Sequence, residues 1–354
     1  MLLLLGTAVA VPVATPWGHT ADGRAVQRVE LVNQLGMRVC YIDYGATLTA
    51  IEVPDRDGHR ANVVLGLPDL AAYEHSARRY GAIMGRYAGR IAGARFVLEG
   101  REVLLPANAK GMYLHGDPVG FDRRVWRRRD FADARSLGSV FEMNSPAGDQ
   151  GFPGRLRLSV VYRLMRRSNE FRIEYRATAD APTVLNPTNH VYLNLAGAGS
   201  AGLDGHRVTI AADRYAVTDA RRLPTGELAP VAGTPLDFRT PASLAERLAQ
   251  GDFDHSLVFT RWTGELLPVL RVDETASGRR LEVSTTETSV QFNSGNGFDG
   301  SEVGAEGRAY ARHDGFAFET QHLPDSPNQA QFPSTRLGPR ERFRSETRYR
   351  FTTF

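Results

Sequence analysis

The sequence predicts an all-β fold, a large antiparallel β domain carrying a few short helices. The first observation behind this is alternation. Leu156, Leu158, Val160, Tyr162 and Leu164 are separated by mostly polar or charged residues, Phe171, Ile173, Tyr175 and Ala177 alternate with Arg172, Glu174 and Arg176, and Leu281, Val283 and Thr285 do likewise. A period of two sets one side of a strand on a core and the other in water. The second observation is turn punctuation between such runs: Asp55-Arg56-Asp57-Gly58, Glu99-Gly100, Pro146-Ala147-Gly148-Asp149 and Ser277-Gly278. The third is the scarcity of helical patterns. Residues 241–248 form the best candidate, and residues 68–73 a second that Asp69 is placed to cap. An antiparallel sheet this large must curl or pack on another. A curled sheet offers a concave seat for a small polar ligand.

Bulk properties narrow the reading. The chain has 354 residues, 42% of them hydrophobic and 23% charged, an ordinary globular balance. Length alone suggests two or three domains, but all-β domains run large. No repeat or low-complexity linker divides the chain, so residues 18–352 read as a single domain. A net charge of +3 implies no nucleic-acid partner. The densest basic stretch, Arg123, Arg124, Arg127, Arg128 and Arg129, is interrupted by Val125 and Trp126 and reads as a solvated strand face. Cys40 is the only cysteine, which excludes an intrachain disulfide and a thiolate metal cluster. Residues 1–14 are almost wholly apolar, and Ala8-Val9-Ala10 has the form of a cleavage site, yet no Lys or Arg precedes the run. The run is shorter than the ~20 residues a bilayer span requires. It reads as a truncated signal-like segment, placing the protein in the periplasm or outside the cell if genuine and in the cytoplasm otherwise. The expected assembly is a monomer or weak homodimer.

Familiar cofactor and nucleophile motifs are missing: no phosphate-binding Gly-rich loop with Lys, no dinucleotide fingerprint, no His-Glu-x-x-His and no Gly-x-Ser-x-Gly. The nine histidines are scattered, with no close pair at the usual zinc spacing, so a metal is disfavoured. Acid/base chemistry from isolated histidines and carboxylates remains.

The candidate segments fall in this order. Tyr44-Gly45-Ala46-Thr47-Leu48, Val53-Pro54-Asp55 and Val63-Val64-Leu65-Gly66 come first and are structural landmarks. Gly85-Arg86-Tyr87-Ala88-Gly89-Arg90-Ile91 offers Arg90, whose rigid fork of donors suits hydroxyl groups. Leu114-His115-Gly116 offers a histidine. Asn186-Pro187-Thr188-Asn189-His190-Val191-Tyr192 sets a histidine and a phenol two residues apart, on one side of a strand. Gly251-Asp252-Phe253-Asp254-His255 and Val290-Gln291-Phe292 add a carboxylate and an amide. Glu319-Thr320-Gln321-His322-Leu323-Pro324-Asp325 follows the apolar Gly315-Phe316-Ala317-Phe318, which should partly bury Glu319. Burial raises a carboxyl pKa and makes a better base while the group stays ionised.

Together these segments resemble the aldose 1-epimerase (galactose mutarotase) family, from about Gly18 to Phe351. The resemblance implies a galactose mutarotase-like β-supersandwich. It implies interconversion of the α and β anomers of free aldohexoses such as glucose and galactose, with no cofactor or metal. It assigns His190 as the acid and Glu319 as the base, and Arg90, His115, Tyr192, Asp254 and Gln291 as sugar-binding residues. Two departures stand out: Gly89 where the family often has Asn, and Asn293 where a bulkier residue is usual. With reference pKa values of about 4.3 for Glu and 6.5 for His, a bell-shaped rate is expected, with Glu319 ionised and His190 protonated. Three other readings compete. A sugar-phosphate 1-epimerase would need clustered Arg or Lys at the mouth. A glycosidase would pair Asp254 with Glu319. A non-catalytic sugar-binding protein on the same scaffold would be free to lose its acid or base.

Overall fold

A computed structural model describes residues 11–354. Positions 1–10 of the apolar segment lie outside the described residues, and Val13 and Ala14 open the first strand, Val13–His19. That strand begins a five-stranded meander with Ala25–Val32, Arg38–Ile42, Thr47–Pro54 and Arg60–Asn62. A nine-stranded sheet runs in the spatial order Arg127–Ala132, Ser136–Ser145, Leu156–Met165, Glu170–Ala179, Phe343–Thr353, Arg279–Thr285, Leu267–Glu274, His206–Ile210 and Ala242–Ser243. A six-stranded sheet follows the order Tyr192–Leu193, Phe316–Gln321, Ser289–Asn293, Asp254–Phe259, Ala212–Thr218 and Pro224–Pro230. The strands of these three sheets pair antiparallel throughout.

One core joins the three sheets. Val29, Val39 and Leu48 of the meander, Leu158, Val160, Phe171, Val283 and Tyr349 of the large sheet, and Leu257, Val290, Phe292 and Phe318 of the six-stranded sheet form a single buried cluster. The alternating residues read from the sequence supply much of it: Leu156, Leu158, Val160, Tyr162 and Leu164 are all buried. Tyr162 carries its hydroxyl inward, donating to the Ala46 carbonyl and accepting from the Asn189 amide, which satisfies the polar end of a buried ring. Cys40 is buried in the meander.

Turns and caps fall where the sequence puts them. Glu99 and Gly100 both have positive φ and close the hairpin between Arg95–Leu98 and Arg101–Leu104, as a two-residue turn requires. Asp69 accepts the Ala72 N–H at 2.9 Å and caps the helix Leu70–His75. The helix expected over 241–248 forms only at Leu244–Leu248, capped by Ser243, because Ala242–Ser243 pair as an edge strand beside Arg207 and Val208. No helix among the described residues is long and apolar enough to cross a membrane.

The basic stretch departs from the solvated strand face expected of it. Arg123 turns inward to donate to the Glu74 and Ser76 carbonyls, and Arg124 makes a forked pair with Asp149. The Arg128 side chain is largely covered beside Asp130, and only Arg127 and Arg129 of the five are exposed. Carboxylates and carbonyls within reach offset the cost of covering those guanidiniums.

Candidate active site

The floor of the site follows from the two-residue period of three neighbouring strands. In Phe316–Gln321, Phe316 and Phe318 enter the core, and the Thr320 hydroxyl meets that of Thr347 at 2.6 Å. Ala317, Glu319 and Gln321 therefore face the other way. Val290 and Phe292 anchor the next strand, so Gln291 joins Glu319, its registered partner. Leu257 and Phe259 anchor the third, which turns Asp254 and Ser256 to the same face.

Loops supply the walls. Arg90 pairs with Leu114 in a two-residue ladder, which delivers His115 beside it. The Gly89 N–H donates to His115 Nδ1 at 3.1 Å, which fixes the neutral ring with its proton on Nε2. His190 is held by its backbone: its N–H donates to Ala82 O and its carbonyl accepts from Gly81 N–H, both at 2.9 Å. Two residues on, Tyr192 joins the Glu319 strand opposite Ala317.

All seven site residues expected from the sequence converge. His190 Nε2 lies 3.5 Å from Glu319 Oε1, and both side chains are buried. The His190 ring stands edge-on to His115 at 5.4 Å between centroids and 5.0 Å from the ring of Tyr192. Asp254 Oδ2 accepts from Arg90 Nη2 at 3.0 Å, and Oδ1 accepts from Gln291 Nε2 at 2.6 Å. The donor atoms of His115, His190 and Glu319 lie within 4.8 Å of one another, a spacing that would suit a cation. Histidine spacing along the chain does not reveal this grouping, because the three residues lie far apart in sequence.

Burial sets the protonation. It pushes Glu319 up to about 8, helped by the Asp254 carboxylate and opposed by Arg90 and Arg79. It pushes His190 down to about 4, and Arg79 acts in the same direction. His115 sits well below the ordinary histidine range through burial, Arg79, His190 and Arg90, and is neutral. Asp254 would be raised by burial, but Arg90 and Arg222 hold it below the usual carboxylate range. The reference order of Glu below His is thereby inverted. Glu319 is not partly but fully buried, at 2% exposure, and that produces the inversion.

Three residues in or beside the site were not named from the sequence. Arg79, at positive φ, donates to Asp117 and the Ala77 carbonyl, and lies 3.7 Å from Asp122. Arg222, in a turn held by Asp219, reaches Asp254 from the rim. Gln321 was legible as the same-face neighbour of Glu319, two residues along a strand. Nothing in the sequence marks the two arginines apart from their neighbours.

Comparison with known proteins converges on one family. A family model described as aldose 1-epimerase matches residues 27–350. The galactose mutarotase of Rattus norvegicus is 41% identical over 335 residues, covering 94% of this chain and 96% of that protein. The aldose 1-epimerase of Escherichia coli K12 is 38% identical, covering 93% and 96%. Among solved structures, an aldose epimerase homologue from C. elegans superposes with a TM-score of 0.84 at 30% identity, covering 92% of this chain and 98% of that one. A galactose 1-epimerase from Lactobacillus acidophilus reaches 0.84 at 25% identity, covering 97% and 99%.

Proposed function

The chain belongs to the aldose 1-epimerase family, and from that premise we propose that it interconverts the α and β anomers of free aldoses by acid/base ring opening at His190 and Glu319. The observation that carries the residue assignment is the 3.5 Å separation of His190 Nε2 and Glu319 Oε1 in a buried, polar-lined site. Mutarotation moves two protons at adjacent positions: one leaves the anomeric hydroxyl and one arrives on the ring oxygen. Both oxygens are bonded to C1, so the groups serving them must sit side by side, as these do.

Glu319 takes the hydroxyl proton while His190 protonates the ring oxygen, and the C1–O5 bond breaks to leave the open aldehyde. Rotation about C1–C2 turns the other carbonyl face to the ring oxygen. Reversal of both transfers closes the second anomer. The pair carries one proton throughout. It stands as carboxylate and imidazolium opposite the closed sugar, and as carboxyl and imidazole opposite the open chain. Burial favours the second arrangement, which stabilises the protein partner of the open-chain intermediate. His115 Nε2–H, Arg90, Asp254, Gln291 and Tyr192 surround the remaining hydroxyls.

A neutral sugar fits this site better than a sugar phosphate. Arg90 and Arg222 are committed to Asp254, and Arg79 to Asp117. The test is polarimetry of freshly dissolved α-D-glucose or α-D-galactose. Wild type should speed the approach to the same final rotation, and His190→Ala and Glu319→Gln should each lose at least about 10²-fold in rate. Failure of wild type to accelerate any common aldose would refute the reading.

A further inference from the structure

Gln321 presents an anomaly beside the acid/base pair. Its side chain is 1% exposed, and among the described residues neither amide Oε1 nor Nε2 has a hydrogen-bond partner. A buried amide left unpaired at both ends is costly, so such a group calls for a partner. The amide lies on the site side of the sheet, two residues beyond Glu319 and so about 6.7 Å along the strand. Its Nε2 and the Pro324 ring face Gly89: a Cβ built on that glycine would lie 3.4 Å from Nε2 and 3.2 Å from Pro324 Cγ. Gly89 is also the residue whose N–H holds His115 and which precedes Arg90, so the amide sits against the backbone that positions both.

Building on the mutarotase reading, we propose that Gln321 is a further sugar-binding residue, whose amide Oε1 accepts from and Nε2 donates to a hydroxyl of the aldose, and that glycine at position 89 keeps this amide open to the substrate. The neighbouring groups agree with that role. Ser289, the registered partner of Gln321, spends its hydroxyl on the Gln321 backbone carbonyl at 2.6 Å, and Gln291 spends its amide on Asp254 and Ser256. Gln321 thus stands apart among the side-chain amides of this floor in having both ends unengaged.

The experiment measures kcat/KM by polarimetry for galactose and its 2-, 3-, 4- and 6-deoxy derivatives, with wild type, Gln321→Leu and Gly89→Asn. Asparagine tolerates the positive φ of position 89, and its side chain would crowd the gap shared by Gln321 Nε2 and Pro324. Gln321→Leu should lower kcat/KM for galactose about ten-fold, mainly through KM, the scale of one buried hydrogen bond. For one deoxy sugar, the one lacking the contacted hydroxyl, the loss should vanish. Gly89→Asn, which leaves Gln321 in place, should reproduce the same pattern and guards against a folding defect of Gln321→Leu. An equal loss for every sugar, or no loss for any, would overturn the proposal and leave the amide to water alone. Wild-type turnover of galactose in the same assay separates this failure from a failure of the mutarotase reading.

Discussion

Replacing Glu319 by Gln should make the protein relatively more stable as pH rises, at the cost of its activity. Folding carries the Glu319 carboxyl from an ordinary 4.5 to about 8, chiefly by burial. A group whose folded pKa is raised contributes stability that is fully present below the unfolded pKa and lost as pH climbs through the folded one. Between pH 4.5 and 8 the unfolded chain has released a proton that the folded chain keeps, so stability falls with pH. At 1.36 kcal/mol per pH unit the loss is roughly 4–5 kcal/mol, a large part of the 5–15 kcal/mol typical of a folded domain. Glutamine has nearly the same shape and no proton to lose. Whatever its own fit in the pocket, the stability difference between variant and wild type should grow by about 4 kcal/mol from pH 5 to pH 9. Urea unfolding of both proteins at pH 5, 7 and 9 reads that difference directly. Parallel stability–pH curves would refute the argument, because they would mean that Glu319 ionises in the fold as readily as in the open chain.

Two further outcomes follow from the same electrostatics. The pH–rate profile should be bell-shaped, with limbs near 4 and 8 that belong to the His190–Glu319 pair as a unit; a flat profile from pH 4 to 9 with chemistry rate-limiting would contradict it. Asp254→Asn should raise KM about 10–100-fold, since the charge-assisted bonds from Arg90 and Arg222 are weakened. It should also move the alkaline limb to lower pH, because the Asp254 charge helps to raise Glu319; an unmoved limb in stopped-flow polarimetry would remove Asp254 from that role.

The sequence by itself determined the fold class, the main strands and the Asp69 helix cap. These are local matters: a two-residue period, a positive-φ hairpin turn and an Asp before a helix act over a few residues. It also singled out His190, Glu319, Arg90, His115, Tyr192, Asp254 and Gln291, because the motif resemblance runs in chain order. Only the tertiary structure decided their chemistry. Glu319 and His190 exchange their ordinary order of acidity because the core, loops and sheet floor enclose them completely, and dehydration is a property of the whole enclosure. Arg79 and Arg222 enter the site through ion pairs with Asp117 and Asp254, 38 and 32 residues away in sequence, and no local pattern records such a pairing. Gln321 shows the same division. Its side of the strand was legible from Glu319, but that both ends of its amide go unpaired depends on what every surrounding segment brings, or fails to bring, within hydrogen-bond reach.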